Sequence, residues 1–452
     1  AYRDDVFVYT YRGADLYFML AEAFNQLGRR AVIDALINVG VSGYISEFDV
    51  NEEGTYSGNW YGFTPHWTNA STVYNYSNGT SGIASRKYGD KGIRGTEVSY
   101  SGLGSRTFTS DKQNNDEEIL KEMMDEKDLW PINREVWDYL DGNGFHLMST
   151  MYKELVDNYG KSSSIEEFAQ KGQFVGAINS KSIWEVWNYN KLDYGDRFCS
   201  GLLFWYHNCP VRQVSARMWD WSLEPTASLY HTANALEPLH VQFDYLKNTV
   251  SVINDYYKSF SNYTVMAQVY DINSRKVFEK SAKINLPSDG VINDVFTICF
   301  PEDISQIHFI KLRLTDERGR EGSSNFYWRS NDKYEGKDTT TGPAASGFED
   351  LVKMKRARLV SSCKVRKTDG QFWVDVTLRN VSNSIAFFNQ LQFLDQNLSP
   401  VRPSFYTDNF FSLMPGESKL VTIETADQNL KNTPVLVIKG WNIERKQINL
   451  EK

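Results

Sequence analysis

Residues Gly201 to Phe243 read GLLFWYHNCPVRQVSARMWDWSLEPTASLYHTANALEPLHVQF, and this stretch decides the fold. It opens with a short apolar and aromatic run, Gly201 to Tyr206, which has the length of a buried strand. The run stops at His207-Asn208-Cys209-Pro210, where polar groups and a proline follow. A buried strand that ends on polar side chains is typical of a barrel that presents a site at that end.

A helix follows this strand after a polar and aromatic loop. Residues 222–235 predict the helix, with Glu224-Pro225 at its start. Its expected buried face consists of Leu229, Tyr230 and Ala233. Strand, loop and helix together form one barrel unit.

After Pro238 the apolar residues change to a period of two, which predicts antiparallel strands. Turn residues at 244–248, 271–274 and 316–319 separate the strands and indicate a sandwich. Residues 339–343 predict a linker, and the strand pattern returns over 357–448 as a second sandwich. The alternating apolar residues include the following: Val241, Phe243, Tyr245, Val250, Val252, Val265, Ala267, Val269, Ile307 and Phe309.

Upstream of the strand the sequence is helical in two places. Residues 8–40 predict an amphipathic helix pair, and residues 145–190 predict further helices, with a Ser-rich cap before Ile165 and a stretch from Phe174 to Trp187. Between them, residues 49–86 have little periodicity and predict a long loop region.

The chain from about residue 118 to 448 resembles glycoside hydrolase family 2, in the branch of exo-β-D-glucosaminidases and β-mannosidases. The resemblance implies the last units of a TIM barrel and then two Ig-like sandwiches. Its motifs are Gly201-Leu202, Trp205, Asn208, Pro210, Asp220, Glu237-Pro238-Leu239-His240-Val241-Gln242, Asn325-Phe326-Tyr327-Trp328, Asp408-Asn409, Ser412-Leu413-Met414-Pro415-Gly416-Glu417 and Lys439-Gly440-Trp441-Asn442.

Residues 1–117 resemble the C-terminal part of SusD/RagB proteins, the outer-membrane glycan-binding lipoproteins of Bacteroidetes. The matching residues are Tyr11-Arg12-Gly13-Ala14-Asp15-Leu16-Tyr17, Leu20-Ala21-Glu22-Ala23, Leu27-Gly28, 89–95 and 103–108. An ordinary helical-repeat hairpin is the alternative. The two resemblances meet near residues 115–125, and a natural fusion, a gene-call artefact and a mis-assembled sequence would all give this pattern.

The expected fold is therefore multidomain α+β. Its parts are a SusD-like helical and loop segment at 1–117, the C-terminal part of a TIM barrel at 118–236, and Ig-like antiparallel β-sandwiches at 237–338 and 345–448.

Composition narrows the classes of partner. A net charge of −8 argues against nucleic acid, whose phosphates are bound largely by Lys and Arg. The 12 Trp and 26 Tyr suit stacking on sugar rings, although sandwich cores also use aromatic residues. The four cysteines show no CxxC pair and the six histidines no HExxH, so we expect no structural zinc site. The family 2 reaction that the resemblance implies uses neither a metal nor a cofactor.

Retaining glycosidases need two carboxylates about 5 Å apart, a nucleophile and an acid/base. The resemblance implies that both stand on barrel strands, and we expect this chain to begin after the acid/base strand. Asn51-Glu52 has no apolar strand before it and is disfavoured as that acid. Glu97 is the candidate nucleophile, because it precedes the 117–124 helix by a suitable distance; an exposed loop acid is the alternative.

The resemblance also implies residues that bind the sugar. Trp205 corresponds to the aromatic floor of the site, with a barrel core residue as the alternative, and Asn208 and Asp220 correspond to polar groups at its mouth. Trp219 precedes Asp220 and is a candidate for the cleft wall. His207 is a candidate for a hydrogen bond to a sugar hydroxyl group.

These observations predict the C-terminal part of a retaining exo-acting glycosidase that is catalytically incomplete as this chain, so its status as an enzyme stays open. The partner would be an oligosaccharide or polysaccharide. The alternative is a non-catalytic SusD-like glycan-binding protein, working with an outer-membrane transporter. Either function implies an exported protein, in the periplasm or at the outer-membrane surface.

Overall fold

The computed structural model describes residues 131, 156–189, 191, 218–219, 223–245, 247–331, 347–430 and 433–450, and the backbone of 97–99 and 203–205. The predicted helix pair at 8–40, the loop at 49–86 and the linker at 339–343 lie outside these residues. So do most of the SusD-like and barrel segments. No helix in the described ranges is long and apolar enough to cross a membrane.

The first sandwich packs a three-stranded antiparallel sheet on a four-stranded one. Its strands are β3 (Leu239–Asp244), β4 (Thr249–Asn254), β5 (Phe260–Asp271), β6 (Lys276–Leu286), β7 (Gly290–Thr297), β8 (Ile307–Thr315) and β9 (Glu321–Ser330). The strand orders are β3-β4-β7 and β6-β5-β8-β9. Inward-facing Val241, Phe243, Val265, Leu312 and Tyr327 are almost fully buried between the sheets.

Two of the predicted turns in this sandwich are built on aspartates. The Asp271 carboxylate accepts the backbone N–H of Asn273 at 2.9 Å, and Ser274 N–H donates to the Asp271 carbonyl at 2.8 Å. The Asp316 carboxylate likewise accepts the backbone N–H of Arg318 at 2.9 Å, and Gly319 takes φ +75°. The turns predicted at 271–274 and 316–319 are confirmed.

The second sandwich has two four-stranded sheets. Its strands are β10 (Leu359–Thr368), β11 (Gln371–Asn380), β12 (Ala386–Leu394), β13 (Phe405–Tyr406), β14 (Phe411–Leu413), β15 (Ser418–Ala426), β16 (Val435–Lys439) and β17 (Lys446–Asn449). The strand orders are β10-β11-β15-β13 and β14-β12-β16-β17, all antiparallel. The two antiparallel Ig-like sandwiches expected from the sequence are thus confirmed.

A single helix, α1 (Ile165–Tyr189), replaces the separate helical stretches expected around Ile165 and Phe174. Its start is a variant of the capping box: Glu167 N–H donates to the Ser164 hydroxyl at 3.2 Å, and the Glu167 carboxylate accepts the Ser163 N–H at 2.8 Å. Phe174 on α1 packs against Trp328 of the first sandwich and Phe387 and Phe388 of the second. The helix therefore completes a third core between the two sandwiches.

Strand β3 departs from the one-sided alternation that its sequence predicts. All six of its residues are buried, including His240 and Gln242 on the face that alternation would leave in water. Helix α1 covers that face, and Gln242 donates to the Glu185 carbonyl at 2.8 Å. The polar residues of this strand belong to an interface.

Helix α2 (Ala227–Ala235) is shorter than the predicted 222–235. Pro225 forms a bridge with Trp219, and Thr226 N–H donates to the Met218 carbonyl at 3.0 Å, so the chain enters α2 only after Thr226. The predicted buried face is also wrong at one position, because Ala233 is exposed while Tyr230 is buried.

Candidate functional site

A pair of parallel strands lies where the sequence predicts the barrel site. Strands β1 (Glu97–Ser99) and β2 (Leu203–Trp205) pair in parallel, with Glu97 opposite Leu203 and Ser99 opposite Trp205. Parallel neighbours require a long crossover, and here more than a hundred residues separate them. Adjacent strands of a TIM barrel are related in this way. The backbone thus brings the candidate nucleophile position and the candidate sugar floor onto neighbouring strands.

Of the other candidate residues, the structure describes only Trp219; His207, Asn208 and Asp220 lie outside the described residues. The Trp219 side chain is half-buried, and its ring meets Phe405 of the second sandwich edge-on at 5.9 Å. A role for Trp219 in sugar binding stays a prediction. Its observed contact fastens the segment that follows β2 to the second sandwich.

A buried ion pair fastens the same segment at a second point. Glu224 is 7% exposed, and its Oε2 lies 3.8 Å from Nε of Arg402. Arg402 belongs to the second sandwich, so both contacts fix the approach to α2 against that domain. The last sandwich therefore positions the chain that leaves the candidate site.

A buried polar network joins α1 to the first sandwich beside this segment. Oε1 of Glu185 accepts the Tyr327 hydroxyl at 2.7 Å and the Asn325 amide at 2.9 Å, and lies 3.1 Å from Nε2 of His240. One helical turn earlier, the Lys181 ammonium donates to Asn325 Oδ1 and, at 3.1 Å, to the Phe326 carbonyl. These groups form one connected cluster.

The pKa values in the network follow from burial and from charge. Burial lowers the pKa of Lys181 to about 8, although Glu185 attracts the charge. For His240, burial would lower the pKa, but the carboxylates of Glu185 and Glu237 outweigh it and raise the pKa above its ordinary value. Burial and the adjacent Glu185 raise the pKa of Tyr327 well above its usual range, so its hydroxyl stays a donor. The cluster is thus a fixed set of donors around one carboxylate.

Two motifs that carried the family 2 resemblance supply this network. His240 and Gln242 come from the motif at 237–242, and Asn325 and Tyr327 from the motif at 325–328. Sequence reasoning quoted these motifs but missed their partner Glu185. The available signal was a Lys181–Glu185 pair, four residues apart, inside an apolar helix.

The motifs in the second sandwich are also structural. Asn409 both accepts from the Leu391 N–H at 2.8 Å and donates to the Leu391 carbonyl at 2.9 Å, as a neighbouring strand would. Asn442 does the same between Phe387 N–H and the Ile385 carbonyl. Trp441 donates its indole N–H to the Leu351 carbonyl at 2.9 Å. These side chains complete backbone pairing that the strands leave open.

Comparison with known domains gives both sandwiches a family relationship. The model of the exo-β-D-glucosaminidase Ig-fold domain matches residues 339–443, which include β10 to β16 of the second sandwich. The model of a mannosidase Ig/CBM-like domain matches residues 247–334, within the first. The resemblance of these two domains to the glucosaminidase and mannosidase branch of family 2 is confirmed.

Curated relatives agree with this relationship. The exo-β-D-glucosaminidase of Amycolatopsis orientalis is 27% identical over 300 residues, covering 64% of this chain and 29% of the relative. The exo-β-D-glucosaminidase of Arthroderma benhamiae is 25% identical over 370 residues, covering 80% of this chain and 41% of the relative. This chain thus spans well under half the length of either relative. An alignment over 80% of the chain is longer than the stretch from residue 118 to the end, so it includes residues upstream of 118.

Solved structures show the same fold. The exo-chitosanase CsxA of Amycolatopsis orientalis superposes with a TM-score of 0.66 at 22% identity, over 78% of this chain and 42% of that one. The β-D-mannosidase of Dictyoglomus thermophilum superposes with a TM-score of 0.56 at 16% identity, over 82% of this chain and 39% of that one. At these identities the likeness concerns the fold.

Proposed function

We propose that the chain is the C-terminal part of a retaining exo-acting glycoside hydrolase of the β-glucosaminidase or β-mannosidase type. The observation that carries the proposal is the parallel β1–β2 pair, which precedes α2 and two Ig-like domains of the family 2 branch. The curated relatives named exo-β-D-glucosaminidase support a glycan with terminal β-linked amino sugar as substrate.

Glu97 is the proposed nucleophile and Trp205 the proposed floor of the sugar site. In the β1–β2 register the backbone of Glu97 lies opposite Leu203, two residues before Trp205. A strand at 97–99 favours the barrel role of Glu97 over that of an exposed loop acid. It also favours a barrel segment that begins upstream of residue 118. Asn208 and Asp220 are the proposed polar groups at the mouth, with His207 and Trp219 beside them.

The proposal assigns no general acid of the reaction to this chain. A retaining enzyme forms a glycosyl ester on its nucleophile while the second carboxyl group protonates the leaving oxygen. Loss of that proton donor costs a factor of roughly 10² to 10⁴ in rate. Attack by Glu97 would then succeed only when the leaving group needs no proton.

An activated aryl β-glycoside tests this proposal, because its phenolate leaves without protonation. Incubation of the full chain with dinitrophenyl β-glucosaminide or β-mannoside should leave one sugar on the peptide that contains Glu97, detected by mass spectrometry. Glu97→Gln should abolish the adduct, and Glu52→Gln should not. An adduct on another residue would remove Glu97 from the proposal. Rapid hydrolysis of unactivated oligosaccharides would show that the chain is catalytically complete.

The SusD-like resemblance supports a second candidate, non-catalytic glycan binding by residues upstream of β1, with an outer-membrane transporter as partner and a location in the periplasm or at the outer-membrane surface. The motifs at 11–17 and 20–28 support it. Removing residues 1–88 keeps β1 in the chain. If glycan affinity is unchanged by this truncation, the second candidate fails.

A further inference from the structure

A cavity of about 300 Å³ lies where α2 and the two sandwiches meet. Helix α2 forms one wall, β8 and β9 a second, and residues 407–412 with Lys419 a third. Pockets for small ligands usually have volumes of about 300 to 1,000 Å³ and often lie between domains. This cavity has the size of a small pocket at such a place.

Aromatic rings and charged groups of both signs share the wall. The rings belong to Tyr230, Phe326, Trp328, Phe410 and Phe411. The charged groups are the ammoniums of Lys181, Lys311 and Lys419 and the carboxylates of Glu237 and Asp408.

The wall carries three ammoniums and two carboxylates, so its charges balance to within one. Lys419 is paired with Asp408, and Lys311 lies 3.5 Å from Glu417, which stands just behind the wall and also pairs with Arg313. The wall therefore offers donors and acceptors side by side without a strong net field. Such a surface fits a neutral ligand that carries several hydroxyl groups.

One buried polar group ends at the cavity with hydrogen-bonding capacity to spare. The Tyr230 side chain is 7% exposed, and among the described residues Asn409 is the side chain that lies beside its hydroxyl group. A phenol hydroxyl can donate one hydrogen bond and also accept, so capacity remains for a ligand. The Lys181 ammonium, 5% exposed, already donates to Asn325 Oδ1 and the Phe326 carbonyl and lies 4.1 Å from the centroid of the Tyr327 ring. Buried polar groups normally use their hydrogen-bonding capacity, so the Tyr230 hydroxyl indicates a polar ligand.

We propose that this cavity binds one neutral hexose unit, at a site separate from the β1–β2 site. The aromatic rings suit the C–H faces of the sugar, and the Tyr230 hydroxyl bonds one of its hydroxyl groups. The choice of a sugar as ligand rests on the proposed function. An amino sugar fits less well, because the three ammoniums on the wall outnumber the wall's two carboxylates, and one of those carboxylates, Asp408, is already paired with Lys419. A small anion would leave the aromatic wall unused.

Calorimetric titration of the full chain with mannose tests the proposal, with glucosamine and glucuronate as comparison ligands. Mannose should bind at least tenfold more tightly than glucosamine. Tyr230→Phe removes one hydroxyl and should weaken mannose about 3-fold to 10-fold, the effect of one hydrogen bond. Ala233→Trp, on the exposed edge of the cavity, should abolish binding there by filling it. Tyr257→Phe, at an 89% exposed tyrosine outside this wall, is the matched control and should change nothing.

Trp205→Ala separates this proposal from the proposed function. Loss of all sugar binding in Trp205→Ala, with the cavity variants unchanged, would overturn the cavity site and leave the glycosidase proposal intact. Binding that survives Trp205→Ala but is lost in Ala233→Trp supports the cavity site. Tighter binding of glucuronate than of mannose would overturn the assignment to a neutral sugar. A thermal melt of each variant shows whether it is folded.

Discussion

At the residue scale, the first sandwich and α1 depend on one carboxylate. Glu185 is 1% exposed, and its Oε1 faces Tyr327, Asn325 and His240 together. Burying a charge is costly unless hydrogen bonds and opposite charge compensate it. Here the donors and the raised pKa of His240 supply that compensation. Removing the carboxylate would therefore leave several buried donors unpaired at once.

We expect Glu185→Ala to lower the free energy of unfolding by about 3 to 5 kcal/mol, because it breaks a buried charged network. Glu279→Ala removes the carboxylate of an exposed pair with Lys276 and should leave the free energy of unfolding nearly unchanged, because solvent screens such a pair. Urea denaturation of both variants measures the difference. Equal small effects would show that the network adds little to stability.

A second residue-scale effect concerns histidines that stay neutral. His308 packs against the Phe300 ring at 4.9 Å, and burial together with the charge of Arg329 lowers its pKa to about 3. His231 shows the same pKa for a similar reason, burial and Lys181. In the unfolded chain both would take up a proton below pH 6.5. Because the unfolded state then binds more protons, stability falls as pH drops from about 6.5 toward 3.

Replacing His308 by Phe removes one of these titrations and keeps a ring beside Phe300. We expect the midpoint of acid unfolding, followed by circular dichroism, to move to lower pH. A midpoint that stays in place would contradict the assigned burial of His308.

The contribution of His240 to the pH dependence of stability has the opposite sign. Its pKa is raised, so its stabilisation is complete below about pH 6.5 and is lost as pH rises through the folded-state pKa.

At the element scale, the connection after β16 has no room for a side chain. A Cβ on Gly440 would lie 2.8 Å from the Asn389 Oδ1 and 3.2 Å from the Phe387 carbonyl. The close approach lets Trp441 N–H donate to that same carbonyl, and it places Asn442 against the sheet. The glycine in the Lys439–Asn442 motif is therefore required by packing.

We expect Gly440→Ala to destabilise the protein by about 1 to 3 kcal/mol, the usual cost of overpacking. Gly322→Ala is the control, because its nearest atom is the flexible end of Leu239 at 3.0 Å. Thermal unfolding should show the larger loss of stability for Gly440→Ala. The reverse order would mean that the Asn389 side chain moves away at little cost.

At the scale of the whole molecule, α1 unites the two sandwiches. Tyr159, Trp328, Phe387, Phe388 and Trp441 surround the Phe174 ring, all at centroid distances of 6.4 Å or less. The salt bridge between Arg313 and Glu417 joins the sandwiches elsewhere. A shared core of this kind couples the unfolding of the parts that build it.

We expect Phe174→Ala to cost about 3 to 5 kcal/mol, the range for deleting a buried aromatic ring. Because Phe174 belongs to both interfaces, calorimetry should show the sandwich transitions of the variant separating, whereas those of the unchanged protein coincide. Phe372→Ala, inside the second sandwich alone, should lower stability without separating the transitions. A single transition in both variants would show that α1 does not couple the domains.

The local pattern of the sequence predicted the sandwiches and their aspartate turns, because strand alternation and turn chemistry depend on near neighbours. This local pattern could not predict that every residue of β3 and β12 is buried, since elements distant in the sequence cover their second faces. The predicted start of α2 was wrong for a similar reason, because Pro225 pairs with Trp219. Motifs that carried the family 2 resemblance have structural roles at His240, Asn325 and Asn409.

The placement of α1 also has a consequence for synthesis. The helix leaves the ribosome about 200 residues before Phe387 and Phe388, which cover its apolar face. At about 5 to 20 residues per second, that face waits roughly 10 to 40 s for its cover. During this interval the apolar face of α1 is uncovered, and we expect a chaperone to bind it.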